Sequence, residues 1–571
     1  MTGQAGKPGL ALQLAPGLTV VLLILPVVAG LSGAALPAFG YLPVLGGEHF
    51  SLDPWRMLMA QPGIWRSAIF SYLTALAATA LSLGLVLGFI GAWSETRLFA
   101  LMHRALSPLL SVPHAAAAFA LAFLIAPSGW IMRLLSPWAT GFDRPPDILI
   151  LHDPLGLSMI AGLVAKEAPF LFLMTLAALP QTQVRRHMQV AASFGYGRLA
   201  GFFKVALPQI YPQIRLPVLA VIAYSSSVVD VAMILGPTLP APLAVQLTHW
   251  MRDPDLAMRF AASAGALLQV GVTAAAILTW LAGERLARLL HQRWRVDGGR
   301  MAADGAARAG LAAATLILIA AMGLGLVGLV LWSVAGFWPF PASLPPAVSL
   351  KTWASALPQL SGPTGTTLWL GLAATLAALV LTIACLEREV RTGRRPHRAA
   401  LGLIYVPLLV PQVAFLFGLQ FLLIAMGLGT SGGALAFTHF LFVLPYVFLS
   451  LGDPWRAWDP RYAQIASGLG AGQWRIFWRV RLPMLLAPVL TAAAVGFAVS
   501  VGQYLPTLLI GGGRFATLTT EAVALASGGS RRIIAVYALL QMALPLAGFV
   551  LATTLPAMLF RNRRDMRPGH G

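Results

Sequence analysis

Long apolar runs separated by short polar segments fill this chain of 571 residues. Runs of about 18 or more apolar residues with few charges are long enough to cross a bilayer as helices. They fall near 16–38, 67–93, 105–126, 155–180, 213–236, 258–282, 310–334, 363–386, 401–427, 435–452, 486–510 and 536–560. The pattern predicts an all-α polytopic membrane protein of about twelve spanning helices. The first run has small residues at Ser32 to Ala35, as a signal peptide would. Its only early cation is Lys7 and its apolar stretch is long, so it reads as an uncleaved first helix.

One polar stretch occurs twice among these runs. Arg186 to Pro208 reads RHMQVAASFGYGRLAGFFKVALP, and Arg461 to Pro483 reads RYAQIASGLGAGQWRIFWRVRLP. Nine of 23 aligned positions are identical: an Arg, Gln189/Gln464, Ala191/Ala466, the glycine pairs Gly195-x-Gly197 and Gly470-x-Gly472, Phe202/Phe477, Val205/Val480, and Leu207-Pro208/Leu482-Pro483. The glycines interrupt what would otherwise be one helix. Each copy is expected to form two short helices around a bend at a membrane surface. Helical spacing places Leu199, Phe202, Phe203 and Ala206 on one face, and Trp474, Phe477 and Trp478 on the matching face. An amphipathic loop lying on lipid would give similar polarity, but it would not require the same residue types at one spacing twice.

Composition agrees with the pattern. Hydrophobic residues make up 58% of the chain and charged residues 10%, against about 25% charged in soluble domains; mean hydropathy is +0.78. The formal charge is +20. Nucleic acid is one partner that a basic chain can bind, but here the cations sit in short loops between apolar runs, which argues against it. One set of loops (94–104, 181–215, 283–309, 387–400 and 453–485), with the two termini, holds 28 of the 39 Lys and Arg. The positive-inside rule places that set, both termini and both copies of the repeat in the cytoplasm. Six spans per half is an even number, so the second half repeats the first without inversion. The expected division is 1–282, a basic linker at 283–309 with a helical start, and 310–571. The single cysteine, Cys385, excludes an internal disulfide and reads as a small buried side chain.

The repeated pattern resembles the cytoplasmic "EAA" loop of permease subunits in bacterial binding-protein-dependent ABC importers. The second copy is the closer match, with Gly470, Phe477, Val480, Leu482 and Pro483 at the family spacing. Two such loops in one chain resemble the fused permeases of the iron(III) and thiamine importer type, with a type I permease fold in each half. The resemblance implies a bacterial inner-membrane protein whose loops act as coupling helices. It implies two partners: a cytoplasmic ATPase, in two copies, and a periplasmic or extracellular substrate-binding protein. The family's Glu is Gln189 and Gln464 here, which keeps an acceptor oxygen and loses the charge. That puts a salt bridge to the ATPase in doubt at this position and leaves docking by shape, with the aromatic face of each loop expected outward and Phe202 or Phe477 seated in a groove on one ATPase subunit. The nucleotide-binding pattern G-x4-G-K-[ST] occurs nowhere; the one Gly-Lys, Gly6-Lys7, is followed by Pro8. The expectation is that this chain carries no cofactor and that a separate subunit uses the ATP.

Ionisable residues inside spans are functional candidates by default. Lys166 and Glu167 lie in the fourth span and Asp230 in the fifth. Gln503 occupies the depth of Asp230 in the second half, within Ser500-Val-Gly-Gln503 against Ser227-Val-Val-Asp230. These four are candidates for a translocation path, or else for a polar pair that fastens helices. The histidines show no metal-ligand spacing, and no nucleophile–base constellation is present. A twelve-helix secondary transporter driven by an ion gradient is the competing class. Its halves are also parallel, and the buried charges would suit proton coupling, but it has no use for paired docking loops. The orientation is open to test: a Gly472→Cys side chain should resist membrane-impermeant thiol reagents in intact cells and react once the membrane is opened, and ready labelling in intact cells would invert the topology.

Overall fold

The computed structural model describes residues 10–179, 183–393 and 402–561. Within them the chain is helical, with no strand and two isolated bridges, Leu42 with Gly47 and Ala335 with Val348. A bilayer offers no water to backbone amides, so a spanning segment must satisfy them along its own length. The spanning helices are α1 (Leu10–Ala38), α2 (Ile64–Trp93), α3 (His114–Ile125, continued after a break by Trp130–Leu135), α4 (Leu157–Ala178), α5 (Leu207–Ser227), α6 (Met258–Val296), α7 (Gly305–Val334), α8 (Lys351–Thr392), α9 (Gln412–Ala425), α10 (Gly432–Ala457), α11 (Leu486–Val501) and α12 (Arg531–Leu559). Among the described residues ten helices are long and apolar enough to cross a membrane. An eleventh crossing is made if α11 is counted with the segment before it, from which it is bent by 72°. The remaining expected span is α9, with only 14 residues.

Four spans are shorter or broken relative to the expected ranges, each for a local reason. The third and ninth start late, at His114 and Gln412, because Val112-Pro113 and Val410-Pro411 precede them. Proline lacks the amide donor and biases its neighbour toward extended backbone, so a helix restarts after it. The fifth and eleventh spans break near their outer ends. Val228 is extended (φ −65°, ψ 136°) and a short helix, Asp230–Leu235, follows. In the second half α11 ends at Val501 and Leu505–Gly511 follows. Both breaks fall in the Ser-Val-x-[Asp/Gln] motif. Broken backbone at membrane depth persists only where protein or a wet cavity surrounds it.

The halves interlock through their first helices. α1 packs along α9 of the other half, and α7 packs along α3. Both crossings use small residues: an ideal Cβ on Gly33 would stand 2.7 Å from the Gly418 carbonyl oxygen, and one on Gly325 would stand 2.6 Å from that of Ala120. On Gly418 a side chain would run into the Gly30 backbone. The second crossing is reinforced at its outer end. Arg133 is buried and donates to the carbonyl oxygens of Pro339 (2.8 Å), Ala342 and Trp338, while Trp130 Nε1 donates to that of Ser343 at 3.0 Å. Thr19 Oγ1 and Cys385 Sγ lie 3.1 Å apart where α1 meets α8. Packing strain from an oversized residue costs about 1–3 kcal/mol, so Gly418→Leu should lower the thermal midpoint of the purified protein in detergent. Gly84→Leu, at an exposed site on α2 with open space around it, should leave that midpoint unchanged.

Candidate functional site

The two copies of the repeat fold alike. The first runs as a helix Val184–Ser193, a bend at Gly195, a short helix Arg198–Gly201 and a π-helical turn Phe202–Ala206 that enters α5. The second runs as Arg461–Gly468, a bend at Gly470, Gln473–Ile476 and a π-helical turn Phe477–Arg481. Gly195 has φ +77° and Gly470 φ +79°. The Gly195 amide donates to Ala192 O (2.9 Å) and the Tyr196 amide to Ala191 O (3.2 Å); Gly470 and Ala471 repeat this with Ser467 O (2.9 Å) and Ala466 O (3.0 Å). This is a Schellman ending, in which a left-handed residue lets the last carbonyls find donors. So Ala191 and Ala466 supply the carbonyls that close each bend, while Gly197 and Gly472 open the second helix.

The expected aromatic docking face is corrected by the structure. Phe202 is 1% exposed and Phe477 8%, so both face inward. Phe202 lies against Gly91 of α2, and Phe477 lies among Trp455, Trp474 and Trp478. The outward apolar residues are Val190 and Phe194 in the first loop, and their counterparts Ile465 (63% exposed) and Leu469 (83%) in the second. Trp474 and Trp478 are also exposed. Gln189 and Gln464 lie on the exposed side beside them, and Val205, Leu207, Val480, Leu482 and Pro483 are half-buried at the base; Pro208 is exposed.

The base of the second loop is held by charge. Arg481 and Glu387 at the end of α8 are both almost fully buried and form a close ion pair. Arg391 Nε bonds the other Glu387 oxygen at 2.7 Å, and the Arg481 guanidinium stands 4.5 Å from the centre of the Trp458 ring. Arg456 pairs bidentately with Glu389 at 2.9 and 3.0 Å.

Inside the membrane the candidate residues are gathered near the broken helices. Lys166, Glu167, Asp230 and Gln503 are all buried. Lys166 Nζ donates to Leu109 O at 3.2 Å, and Glu167 Oε1 lies 3.3 Å from His114 Nε2. The His114 ring packs on Tyr224 with centroids 4.7 Å apart, and Asp230 opens the short helix beyond the break. The two breaks lie side by side: the Tyr504 hydroxyl, next to Gln503, donates to Met233 Sδ at 3.3 Å. Two histidines here were not singled out by spacing. His439 bridges Ser500 Oγ (2.8 Å) and Thr507 Oγ1 (2.9 Å), one on each side of the second-half break. His114 heads α3 at Val-Pro-His, where the second half has Val-Pro-Gln412, and that alignment was the available signal.

Spanning helices interlocked across the chain, paired loops of one geometry and a buried polar seam between broken helices define a membrane permease. The model of the "binding-protein-dependent transport system inner membrane component" family matches residues 378–563. The "inner membrane ABC transporter permease protein YnjC" of Escherichia coli (strain K12) is 33% identical over 523 residues, which is 90% of this chain and 93% of that protein. The chain belongs to this family of ABC importer permeases and is a multi-pass inner-membrane protein. The ion-gradient reading is thereby set aside. Shorter matches include the "spermidine/putrescine transport system permease protein PotC" of Haemophilus influenzae, 26% identical over 32% of this chain and 70% of that one. The "molybdenum transport system permease protein ModB" of Mycobacterium tuberculosis is 32% identical over 25% of this chain and 58% of that one.

The loop anchor generates a test. Removing one partner of a buried pair leaves an uncompensated charge, at a cost of about 3–5 kcal/mol, whereas an apolar replacement of both is often neutral. Glu387→Ala should therefore lower stability by about that amount in denaturant titration of the purified protein, and Glu387→Ala/Arg481→Met should recover most of the loss.

Proposed function

We propose that the chain is a fused permease of the kind found in iron(III) and thiamine importers. Residues 1–282 and 310–571 are its two permease halves and 283–309 is the linker. Each glycine-bend loop seats one copy of a separate cytoplasmic ATPase; that subunit binds and hydrolyses ATP, and this chain carries no cofactor. A periplasmic or extracellular binding protein delivers the substrate to the opposite face, and both termini are cytoplasmic. The observation that carries the reading is the paired loop: one helix–bend–helix–π-turn unit, twice, each with an apolar knob at its tip. An amphipathic helix laid with its apolar face in a groove is a recurrent docking mode.

The roles divide by depth. Val190 and Phe194, and Ile465 and Leu469, fill the ATPase groove, with Gln189 and Gln464 accepting hydrogen bonds beside them. Ala191, Gly195, Gly197, Ala466, Gly470 and Gly472 shape the bend. Phe202, Val205, Leu207, Pro208, Phe477, Val480, Leu482 and Pro483 form the rigid base, which passes a push from the ATPase into α5 and α11. Those helices carry the breaks, so a tilt of the loop reaches Asp230 and Gln503 directly. Lys166 and Glu167 line the same path from α4.

Truncating a buried apolar anchor commonly costs about 2 kcal/mol or more, roughly 30-fold in Kd. Phe194→Ser and Leu469→Ser should each weaken co-purification of the ATPase by that order while the permease still reaches the membrane, and the double variant should abolish it. Full association in the double variant would overturn the docking assignment.

A further inference from the structure

The two loops share a fold but not a setting. After α6 the chain passes through Asp297-Gly-Gly-Arg-Met-Ala-Ala-Asp304 before α7 begins. This segment lies on the first loop. Lys204, in the middle of the π turn, is 4% exposed; its Nζ donates to Asp297 Oδ1 and to Gly299 O, both at 2.8 Å. The same ammonium faces the Trp294 ring at 4.9 Å and the Tyr196 ring at 5.4 Å. A helix start leaves amides without intrahelical acceptors, and the segment supplies two. The Gly197 amide donates to Arg300 O and the Leu199 amide to Asp304 Oδ2, each at 2.9 Å. The far end is tied to α2: Trp93 Nε1 donates to Arg308 O at 3.0 Å, and the Arg308 guanidinium lies over the Trp93 ring at 4.9 Å.

Among the described residues nothing stands at the matching place of the second loop. A Cβ on Gly197 would collide with the Met301 carbonyl oxygen, whereas one on Gly472 would meet nothing within 4 Å. Arg479 stands at the position of Lys204 and is exposed; Trp474 stands at the position of half-buried Leu199 and is 65% exposed. The Lys204 hydrogen bond holds the Asp297 carboxyl below the usual carboxylate range. A depressed carboxylate contributes its stability above the unfolded pKa and loses it only as pH falls through the folded one, so the pair is intact near neutrality.

We infer that residues 297–304 form an intramolecular strap that fixes the first coupling loop to the helix bundle, a tie with no counterpart on the second loop among the described residues, making the two ATPase docking sites mechanically unequal. Lys204 and Gly197 are the positioning residues of this strap. The inequality of the docking sites rests on the docking function proposed above; the strap itself does not.

The strap is tested on the full-length protein in inside-out vesicles by trypsin cleavage after Arg300, followed by mass mapping. Cleavage of a packed segment requires local opening. Gly197→Ala and Lys204→Glu should each speed it about tenfold or more, Gly472→Ala should cleave at the wild-type rate, and Lys204→Glu/Asp297→Lys should return most of the protection. Unchanged cleavage in Gly197→Ala and Lys204→Glu, equal acceleration in Gly472→Ala, or no recovery in the charge exchange would overturn the strap. The docking consequence is read separately, as Mg-ATP hydrolysis by the reconstituted permease–ATPase complex. Lys204→Glu should change the hydrolysis rate several-fold with the ATPase still bound, and the exchange should restore it. A hydrolysis rate that ignores the charge exchange while cleavage follows it would reduce the strap to a tether and overturn the inequality. If Phe194→Ser/Leu469→Ser keeps the ATPase bound, the docking assignment fails and the cleavage pattern stands by itself.

Discussion

Everything else in this molecule hangs on how closely two pairs of helices approach. In lipid, apolar side chains gain nothing by leaving one hydrocarbon for another, so association rests on dispersion contacts and on the few polar bonds that reach across. The α1–α9 and α7–α3 crossings supply such contact because glycine and alanine let backbone meet backbone at Gly30, Gly33, Gly418, Gly325 and Ala120. Each half thereby lends its first helix to the other. That exchange fixes where α3 and α9 sit, and they in turn flank the broken ends of the fifth and eleventh spans.

From there, order is passed outward in both directions. Toward the repeated loops, the π turns carry α5 and α11 into the glycine bends without a flexible joint, since Phe202 and Phe477 are packed beneath them. Toward the other face, Asp230, Tyr224, His114 and Glu167 occupy the seam on one side, with Tyr504 and Gln503 on the other. Lys166, Glu167 and Asp230 belong to the first half alone. In the second half the break is held by His439, bridging Ser500 and Thr507 through both ring nitrogens. The two breaks therefore share a backbone form but not their charge.

Much of this was legible in the sequence, because hydropathy reports length and composition and a repeat reports topology. What stayed hidden has particular causes. A running hydropathy reading does not register Pro113 or Pro411, so α3 and α9 were drawn too long. It registers the residues around Val228 and Gly502 as apolar, and so drew one helix through each break. Phe202 shares a face with Leu199, Phe203 and Ala206 as a 3.6-residue period expects, but that face packs on the bundle, and periodicity groups residues without saying which side is covered. Val190 with Phe194, and Ile465 with Leu469, stand four apart on the side left open. Cations dominate the linker's composition, which hides that two of its acids, Asp297 and Asp304, make the contacts to the first loop.

The exchanged first helices also set a schedule for biosynthesis. α1 leaves the ribosome long before α9, the helix against which its glycines close, has been made. Until then its small-residue stripe faces lipid or whatever neighbour the insertion machinery provides. α7 has no such wait, because α3 is already in the membrane when it arrives. One crossing thus forms during synthesis and the other only late, so a chain truncated before α9 would carry a first helix with no seat.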